Sequence, residues 1–295
     1  MPILNKDMTL CISLAARPSN NGTRFHNHLY GQLGLNWIYK AFAPADLAQA
    51  VAGIRGLGIR GAAVSMPYKE AVIPLVDHLA PSAAAIGSVN TIVNDQGVLT
   101  AHNTDYSAVT SLLASRGVPA GLRAAVRGSG GMAKAVVAAL RDAGFLDVTV
   151  VARNGESGRA LAGQYGFGWA PEYGGGAELL VNATPLGMAG GDGADRLPFT
   201  PEQVQAARVV IDVVAVPAET PLVRAARAAG KQVVTGAEIG TLQALEQFVL
   251  YTGTTPTPEQ VRAAEEFMRS EQEEPDGPAA GTRAPRTQDG EAQAW

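Results

Sequence analysis

Cysteine and histidine are scarce in this chain of 295 residues, which contains one cysteine and four histidines. A single cysteine, Cys11, excludes an intrachain disulfide framework and is typical of a reducing compartment. Cys11 lies in an apolar stretch, which favours a buried, inert thiol over a nucleophile. Because the histidines are scattered without the spacing of metal ligands, we expect no metal site.

Long apolar runs and an excess of one charge are also missing. No run approaches the ~20 apolar residues of a membrane span, and the N-terminus lacks the basic region and apolar core of a signal peptide. A formal net charge of −4 gives no reason to expect nucleic acid or an anionic membrane as a partner. We therefore expect a soluble, cytoplasmic protein.

Glycine, in contrast, is abundant, and one glycine-rich turn in the middle of the chain has the form Gly-x-Gly-x-x-Ala. Gly128 permits the tight turn, Gly130 lets backbone approach a pyrophosphate, and Ala133 lets the following helix pack closely on the strand. An ordinary strand-to-helix turn is the alternative for such a loop taken alone. The candidate cofactor contacts of this turn are Gly128, Ser129, Gly130, Gly131, Met132 and Ala133.

The segment after this turn supports a dinucleotide site. Residues 147–154 are predicted to form a second strand, which completes a βαβ unit. An acidic residue about 20 residues past the loop would select NAD. The strand instead ends in Ala152-Arg153-Asn154, and Arg153 suits the 2′-phosphate of NADP. A solvated arginine at a strand end is the alternative for Arg153.

The coarse pattern predicts an α/β protein. Strands are expected at 8–14, 36–42, 61–65, 89–94 and 98–102, and then near 123–127, 148–153, 178–182, 208–213 and 231–235. Helices are expected at 23–33 with Thr23 as cap, at 44–57 with Pro44 in the first turn, after Pro67, and at 104–116, 242–251 and 258–269. The regular alternation in the second half predicts a parallel, doubly wound sheet. Residues 271–295 are predicted to be a disordered tail, because they have little to bury.

Three polar motifs of the first half fall at strand ends or in loops: Val64–Lys69, Ser88–Thr91 and His102–Asp105. Each alone is compatible with a helix cap or a turn. Together they bring a lysine, two amides and an aspartate to the ends of neighbouring elements. Such a set suits binding the hydroxyls of a polyol and moving a proton.

These motifs resemble the shikimate dehydrogenase family. VSMPYK, SVNT, HNTD, GSGGMAKA, ARN, VNATPLGM and DVVAVPAETPL, followed by a late glutamine, occur in that family's order from about residue 10 to 269. The resemblance implies an N-terminal α/β substrate domain at 1–106 and a Rossmann-type NADP-binding domain at 107–237. It also implies C-terminal helices at 238–270 that return to the substrate domain.

The resemblance also implies a reaction and its residues. The reaction is the reversible, NADPH-dependent reduction of 3-dehydroshikimate in aromatic amino acid biosynthesis. Lys69 matches the catalytic lysine and Asp105 its partner, while Asn90 and Gln243 match ligands of substrate hydroxyls. A lysine beside the reacting oxygen suits transfer of the proton that hydride transfer leaves behind. The cofactor residues outside the glycine-rich turn are Arg153, Asn182, Thr184 and Val213.

Three positions depart from the family pattern. Where the family has Ser-x-Ser for the substrate carboxylate, this chain has Asn20 and Gly22. Ala215 stands in place of a substrate-contacting tyrosine, and Glu238 in place of a glycine near the last helices. The carboxylate pocket is therefore expected to be rebuilt, with Asn20, Ser13 and Arg17 as candidate ligands. Ser19 is a further neighbour, and a solvated loop residue is the alternative for Arg17.

The sequence thus favours an NADP-dependent dehydrogenase acting on shikimate or a related cyclic hydroxy acid, such as quinate or an amino analogue. Two alternatives stay open at this point. One is an NADP-binding sensor or regulatory protein with little turnover, and the other is a dehydrogenase of another small metabolite on the same architecture. We expect a monomer or a homodimer.

Overall fold

Two six-stranded sheets organise residues 4–270, the part of the chain that this computed structural model describes. The first sheet contains β1 (Thr9–Leu14), β2 (Trp37–Phe42), β3 (Gly61–Val64), β4 (His78–Leu79), β5 (Thr91–Asp95) and β6 (Val98–His102). The second contains β7 (Ala124–Arg127), β8 (Val148–Val151), β9 (Gly168–Ala170), β10 (Leu179–Asn182), β11 (Val209–Asp212) and β12 (Gln232–Val234). The predicted tail, 271–295, lies outside the described residues.

The first sheet is mixed, with the strand order β2-β1-β3-β5-β6-β4. Strand β1 lies between β2 and β3 and pairs in parallel with both, whereas β5 is antiparallel to β3 and to β6. The predicted hairpin β5–β6 is confirmed. Its turn holds Gln96 and Gly97 at φ of 52° and 92°, and such positive values match the right-handed twist of a two-residue hairpin.

The second sheet is fully parallel in the order β12-β11-β10-β7-β8-β9. The chain begins this sheet in the middle and then builds outward on both sides, first through β8 and β9 and then through β10 to β12. Ligands of such doubly wound sheets bind at the carboxyl ends of the strands where the order reverses, which here lies between β7 and β10. The α/β class and the parallel sheet are therefore confirmed.

Ten helices accompany the sheets within residues 4–270. They are α1 (Asn21–Gln32), α2 (Leu47–Gly56), α3 (Pro81–Ala84), α4 (Thr104–Ser115), α5 (Gly131–Asp142), α6 (Gly155–Gln164), α7 (Pro201–Ala206), α8 (Pro221–Ala228), α9 (Gly236–Thr252) and α10 (Pro258–Ser270). None of them is long and apolar enough to cross a membrane. The sequence pattern missed the short elements β4, β9 and α3, which are too brief to show a period.

The first two helices do not start where they were predicted to. Helix α1 begins at Asn21, so Thr23 lies inside it, and the carbonyl of Asn20 already accepts the Arg24 N–H at 2.8 Å. Helix α2 begins only at Leu47, because the Asp46 side chain accepts the N–H of Gln49 at 2.9 Å. An aspartate satisfies an orphan N–H at a helix start in this way, whereas proline does not.

The helix predicted after Pro67 does not form. The segment runs through successive turns and then a single 3₁₀ turn at Ile73–Leu75. Pro74 cannot donate a backbone hydrogen bond and disfavours the α conformation at the preceding residue. In addition, the carbonyl of Lys69 accepts the N–H of Val89 at 2.8 Å, and this bond connects the segment to the residues that precede β5.

The C-terminal helices return to the first sheet, as predicted. Helix α10 packs on α1, and α9 packs on both α4 and β5. Phe248 and Tyr251 of α9 are buried in one cluster with Cys11 and Tyr39 of the first sheet. The guanidinium of Arg24 on α1 donates to the carbonyl of Phe267 at 2.6 Å.

Helix α4 links the two halves. The domain boundary expected after residue 106 falls inside this continuous helix, which packs on α5 of the second half and on α9. Helix α9 begins at Gly236, six residues before its predicted start, because Thr235 and Glu238 form a capping box. The division of the chain into domains therefore stays a proposal, with α4 and α9 as the elements that join them.

We predict that Gly61→Ala destabilises the protein by about 1–3 kcal/mol, since a Cβ there would overlap the ring of Tyr251. The matched control is Gly53→Ala in α2, where a Cβ meets nothing within 4 Å. That variant should be stabilised by about 0.5–1 kcal/mol, the ordinary gain of alanine over glycine in a helix. Urea unfolding of both variants measures the two effects, and equal midpoints would contradict this packing.

Candidate active site

A lysine and an aspartate from two separate segments meet at the centre of the molecule. Lys69, in the turns after β3, donates a hydrogen bond to the carboxylate of Asp105. Their side chains are 19% and 11% exposed, so the pair is largely shielded from water. Asp105 stands in the first turn of α4, where the partial positive charge of the helix N-terminus stabilises a carboxylate. The structure thus brings together the two residues predicted to be catalytic.

A cavity of about 350 Å³ opens over this ion pair, between the two sheets. The predicted site residues that line it are Ser13, Arg17, Lys69, Asn90, Asp105, Met132, Val213 and Gln243. Met132 lies in α5 and Val213 follows β11, so both sheets contribute to the walls. Within residues 4–270 no group of three or more histidine, cysteine, aspartate or glutamate side chains is arranged to hold a metal ion.

Asn90 is held by its neighbours at the floor of the cavity. Its Oδ1 accepts the N–H of Thr104 at 2.8 Å, and its Nδ2 donates to Thr104 Oγ1 at 3.0 Å. Gln247 in α9 donates through Nε2 to Thr91 Oγ1 at 2.9 Å and also lines the cavity. Gln247 was not among the predicted site residues, although it lies four residues after Gln243 and hence on the same helix face. These amides form a polar wall that fits substrate hydroxyl groups.

Gly22 lies against a tyrosine at the far end of the cavity. A Cβ at Gly22 would stand 3.3 Å from the hydroxyl oxygen of Tyr39 and 3.4 Å from its ring. Burial raises the pKa of Tyr39, and a hydrogen bond with Ser13 opposes that rise. The phenol therefore stays neutral and able to donate. Tyr39 was not among the predicted site residues, and it occupies the space into which a serine side chain at position 22 would project.

Asn20 does not line the cavity. It is exposed at the start of α1, and the residue that lines the wall is its neighbour Asn21. The reason is the early start of the helix, which places Asn20 at the cap. The role of Asn20 as a substrate ligand stays a prediction.

Two arginines line the cavity, and only one of them has a salt-bridge partner. Arg269 of α10 pairs with Glu265 one turn earlier. Arg17 makes no ion pair or side-chain hydrogen bond with the residues that the structure describes, and it is exposed. Ala215 lines the same cavity and offers only a methyl group. A substrate anion would thus meet Arg17 as the nearest uncompensated cation.

His26 supports Tyr39 from below. The two rings stack with their centroids 4.5 Å apart and their planes 8° apart. Burial lowers the pKa of His26 to about 3, with a smaller opposing effect of the Gln247 side chain. A neutral imidazole therefore belongs to the hydrophobic core and fixes the ring of Tyr39 in the cavity wall.

The glycine-rich turn has the predicted form at the carboxyl edge of the second sheet. Gly128 has φ of 126°, and a Cβ there would stand 2.6 Å from the carbonyl oxygen of Ala183. Gly130 is the N-cap of α5, whose first turn has no acidic residue, and Ala133 is fully buried against the sheet. The open N–H groups of α5 thus face the cleft and suit a pyrophosphate. Ser129 contacts Ser157 through their hydroxyl oxygens at 2.8 Å.

Asn182 acts within the protein rather than toward the cofactor. Its Nδ2 donates to Asp212 Oδ1 at 2.9 Å and to the carbonyl of Leu186 at 3.0 Å. Its Oδ1 accepts from Thr184 Oγ1 at 2.6 Å and from the Thr184 N–H at 3.2 Å. Because these bonds use the whole amide, the predicted role of Asn182 as a direct cofactor contact is corrected to one of shaping the loop that carries Thr184.

Glu238 also has a structural role. It closes the capping box of α9 by accepting the Thr235 N–H at 2.8 Å, and it pairs with Arg116 at the end of α4. Its carboxylate therefore joins the two helices that link the halves of the molecule. This explains a departure from the family pattern that the sequence alone left unexplained.

Comparisons with known proteins agree with this architecture. A model of the family "Shikimate dehydrogenase substrate binding domain" matches residues 21–92. A "Shikimate dehydrogenase-like protein" of Haemophilus influenzae is 49% identical over 269 residues, which are 91% of this chain and 99% of that protein.

Two solved structures are similar to most of the chain. A shikimate 5-dehydrogenase-like protein superposes with a TM-score of 0.87 at 49% identity, covering 91% of this chain and 100% of the other. Shikimate 5-dehydrogenase of Thermus thermophilus, solved in complex with NADP(H) and shikimate, gives 0.79 at 32% identity and covers 88% of this chain and 100% of the other.

We predict that His26 makes stability depend on pH. Folding lowers its pKa from 6.5 to about 3, so between these values the unfolded chain binds a proton that the folded chain does not. Stability should therefore fall by about 1.4 kcal/mol for each pH unit below ~6. In His26→Phe this contribution should vanish, and urea unfolding from pH 7.5 to 5 measures it.

The control for this experiment is His78→Gln, which changes an exposed histidine in β4. It should leave the slope of the wild-type protein unchanged. Parallel stability curves for wild type and His26→Phe would show that His26 is not buried in the neutral form.

Proposed function

The chain belongs to the shikimate dehydrogenase family, and from this premise we propose that it is an NADP-dependent oxidoreductase acting on a cyclic hydroxy acid. The observation that carries the proposal is the Lys69–Asp105 ion pair, which lies in one cavity with Met132 and Val213 of the second sheet. A substrate hydroxyl above Lys69 would face the cofactor half across the cleft. Shikimate or a related acid is the proposed substrate.

Lys69 and Asp105 account for the proton in this reaction. NADP, when bound, supplies the hydride acceptor for oxidation of the alcohol, and NADPH the donor for the reverse direction. In oxidation the neutral amine of Lys69 takes the proton of the reacting hydroxyl, and in reduction the ammonium returns it to the carbonyl oxygen. Asp105 holds the Lys69 nitrogen in place throughout, since it accepts a hydrogen bond from it.

The second sheet supports NADP as the cofactor. The pyrophosphate would lie on the N–H groups of α5 beside Gly130 and Gly131, and the first turn of this helix contains no acidic residue. Beyond β8 the chain continues with Ala152-Arg153-Asn154, and Arg153 is exposed at the edge where the adenosine ribose would lie. An arginine here favours a 2′-phosphate, whereas NAD sites carry a carboxylate.

The residues at the substrate end of the cavity suit a hydroxy acid, but those that would bind its carboxylate differ from the usual family pattern. Asn90, Gln243 and Gln247 form the polar wall for hydroxyl groups. At the opposite end, Gly22 and Ala215 provide no polar side chain, so the carboxylate would depend on Arg17 and Ser13. The same change favours the second candidate function, an NADP-binding sensor with little turnover.

We predict that Lys69 and Asp105 act as one catalytic unit. Lys69→Ala and Asp105→Asn should each lower kcat by on the order of 10²–10⁴ without weakening NADP binding, because proton transfer and not cofactor binding is lost. The double variant should be scarcely slower than either single one. Steady-state kinetics and cofactor titration measure both quantities.

Lys231→Ala is a suitable control, since Lys231 lies directly before β12 and donates to the carbonyl of Gln205. It should keep the wild-type kcat. Near wild-type turnover by Lys69→Ala would refute the proposed role.

We predict slow but measurable oxidation of shikimate. Loss of one or two hydrogen bonds to a carboxylate, each worth about 1.5–3 kcal/mol, should depress kcat/KM by roughly 10²–10³ relative to an enzyme with the usual serines and tyrosine. Steady-state kinetics with shikimate and NADP⁺ tests this. A kcat/KM of about 10⁵ M⁻¹s⁻¹ or more would show that other residues bind the carboxylate well.

The matched variants for this test follow from the contact at Gly22. Gly22→Ser with Ala215→Tyr should restore little by itself, because the new Cβ crowds the Tyr39 hydroxyl at 3.3 Å. Adding Tyr39→Phe removes that oxygen, and the triple variant should have the higher kcat/KM for shikimate. A double variant as active as the triple one would show that Tyr39 does not restrict this end of the cavity.

A further inference from the structure

Three arginines gather near the carboxyl edge of the second sheet. Arg127 is the last residue of β7 and pairs in register with Val151 of β8. Arg153 lies two residues after Val151, in the bend that follows β8, and its positive charge acts on Arg127. Arg196 comes from the connection between β10 and α7.

Arg127 is half-buried, and its position is set by an aromatic ring. Its guanidinium carbon lies 5.4 Å from the ring centroid of Phe199, which is 2% exposed. The Nε atom is buried and has no hydrogen-bond partner among residues 4–270. A guanidinium held in this way leaves donors that only a further group can satisfy.

The charges around Arg127 do not balance. Burial lowers the pKa of Arg127; the carboxylate of Glu172 raises it, and the positive charges of Arg153 and Arg196 lower it further. None of these three arginines has a salt-bridge partner within 4 Å in the part of the chain described. Because the chain as a whole is acidic, with a net charge of −4, the cluster is a local feature that needs an anion.

The anion that Arg127 would bind is not the pyrophosphate, because the two sites lie on opposite faces of the second sheet. Helix α5 packs through Ala133 on the sheet face that holds Val126, and its N-terminus is the proposed pyrophosphate site. Arg127 lies beside Phe199, which belongs to the core on the opposite face with Ala125 and Val151. An anion at Arg127 is therefore a second one, at the adenosine end of the cofactor.

We propose that Arg127 binds the phosphomonoester on the adenosine ribose of NADP, together with Arg153 and Arg196, and so determines the preference for NADP over NAD. The proposal rests on the proposed function in one respect, namely that NADP occupies the cleft. Arginine suits this task because its planar fork donates two parallel hydrogen bonds to phosphate oxygens.

The test is calorimetric titration of the full-length protein with NADPH, NADH, 2′,5′-ADP and 5′-AMP. Arg127→Met keeps an apolar stem against Phe199 and removes the charge. It should weaken NADPH and 2′,5′-ADP by on the order of 10–100-fold, the loss of a charged hydrogen bond, while NADH and 5′-AMP change by less than about twofold. Arg153→Met should behave alike.

The matched control is Arg123→Met, at the other end of the same strand, where the guanidinium faces Glu178. It should leave all four affinities unchanged. If Arg127→Met does not fold, Arg127→Lys keeps the charge without the fork and should show a smaller, still NADPH-selective loss.

The outcomes separate the two proposals. Equal losses for NADPH and NADH in Arg127→Met, or no loss at all, would overturn the role of Arg127 while leaving the NADP-dependent function intact. A wild-type protein that binds neither NADPH nor NADH would overturn the proposed function and this inference together.

Discussion

The ion pair between Lys69 and Asp105 is the interaction on which the arrangement of the site depends. A buried ion pair stabilises little unless its geometry is supported, because removing two charges from water is costly. The support comes from the elements on each side. The carbonyl of Lys69 accepts the N–H of Val89, and Asn103 caps α4 by accepting the Tyr106 N–H at 3.0 Å. The capped start of α4 therefore positions Asp105, and the backbone hydrogen bond to Val89 positions the turn that carries Lys69.

The two ends of the cavity differ in how they are built. Around the ion pair, Asn90, Thr104 and Gln247 are linked by hydrogen bonds that extend from the hairpin to the C-terminal helix. At the other end, Tyr39 stands between Gly22 and the buried ring of His26. A side chain at position 22 would therefore contact Tyr39, and the position of Tyr39 is set by its packing on His26 in the core. Substrate preference at this end depends on packing as well as on hydrogen bonds.

Helices α4 and α9 connect these features. Both join the first sheet to the second, and Glu238 links them through its capping box and its ion pair with Arg116. The cofactor edge, with Gly128, Arg127 and Arg153, is therefore connected to the proton-transfer pair through these two helices. A cleft of this kind allows a substrate and a dinucleotide to approach each other from separate sheets.

Features that rest on local chemistry were determined by the sequence itself. A turn with φ of 126° accepts only glycine without strain, so the glycine at position 128 predicted this loop. The alternation of strands and helices predicted the parallel sheet. Lys69 and Asp105 were found through a family resemblance of short motifs. The start of α1, the absence of a helix after Pro67, the contact of Gly22 with Tyr39 and the satisfied amide of Asn182 were decided only by the tertiary structure. Each depends on partners far along the chain, and a hydrogen bond or a filled space between distant residues leaves no period in the sequence.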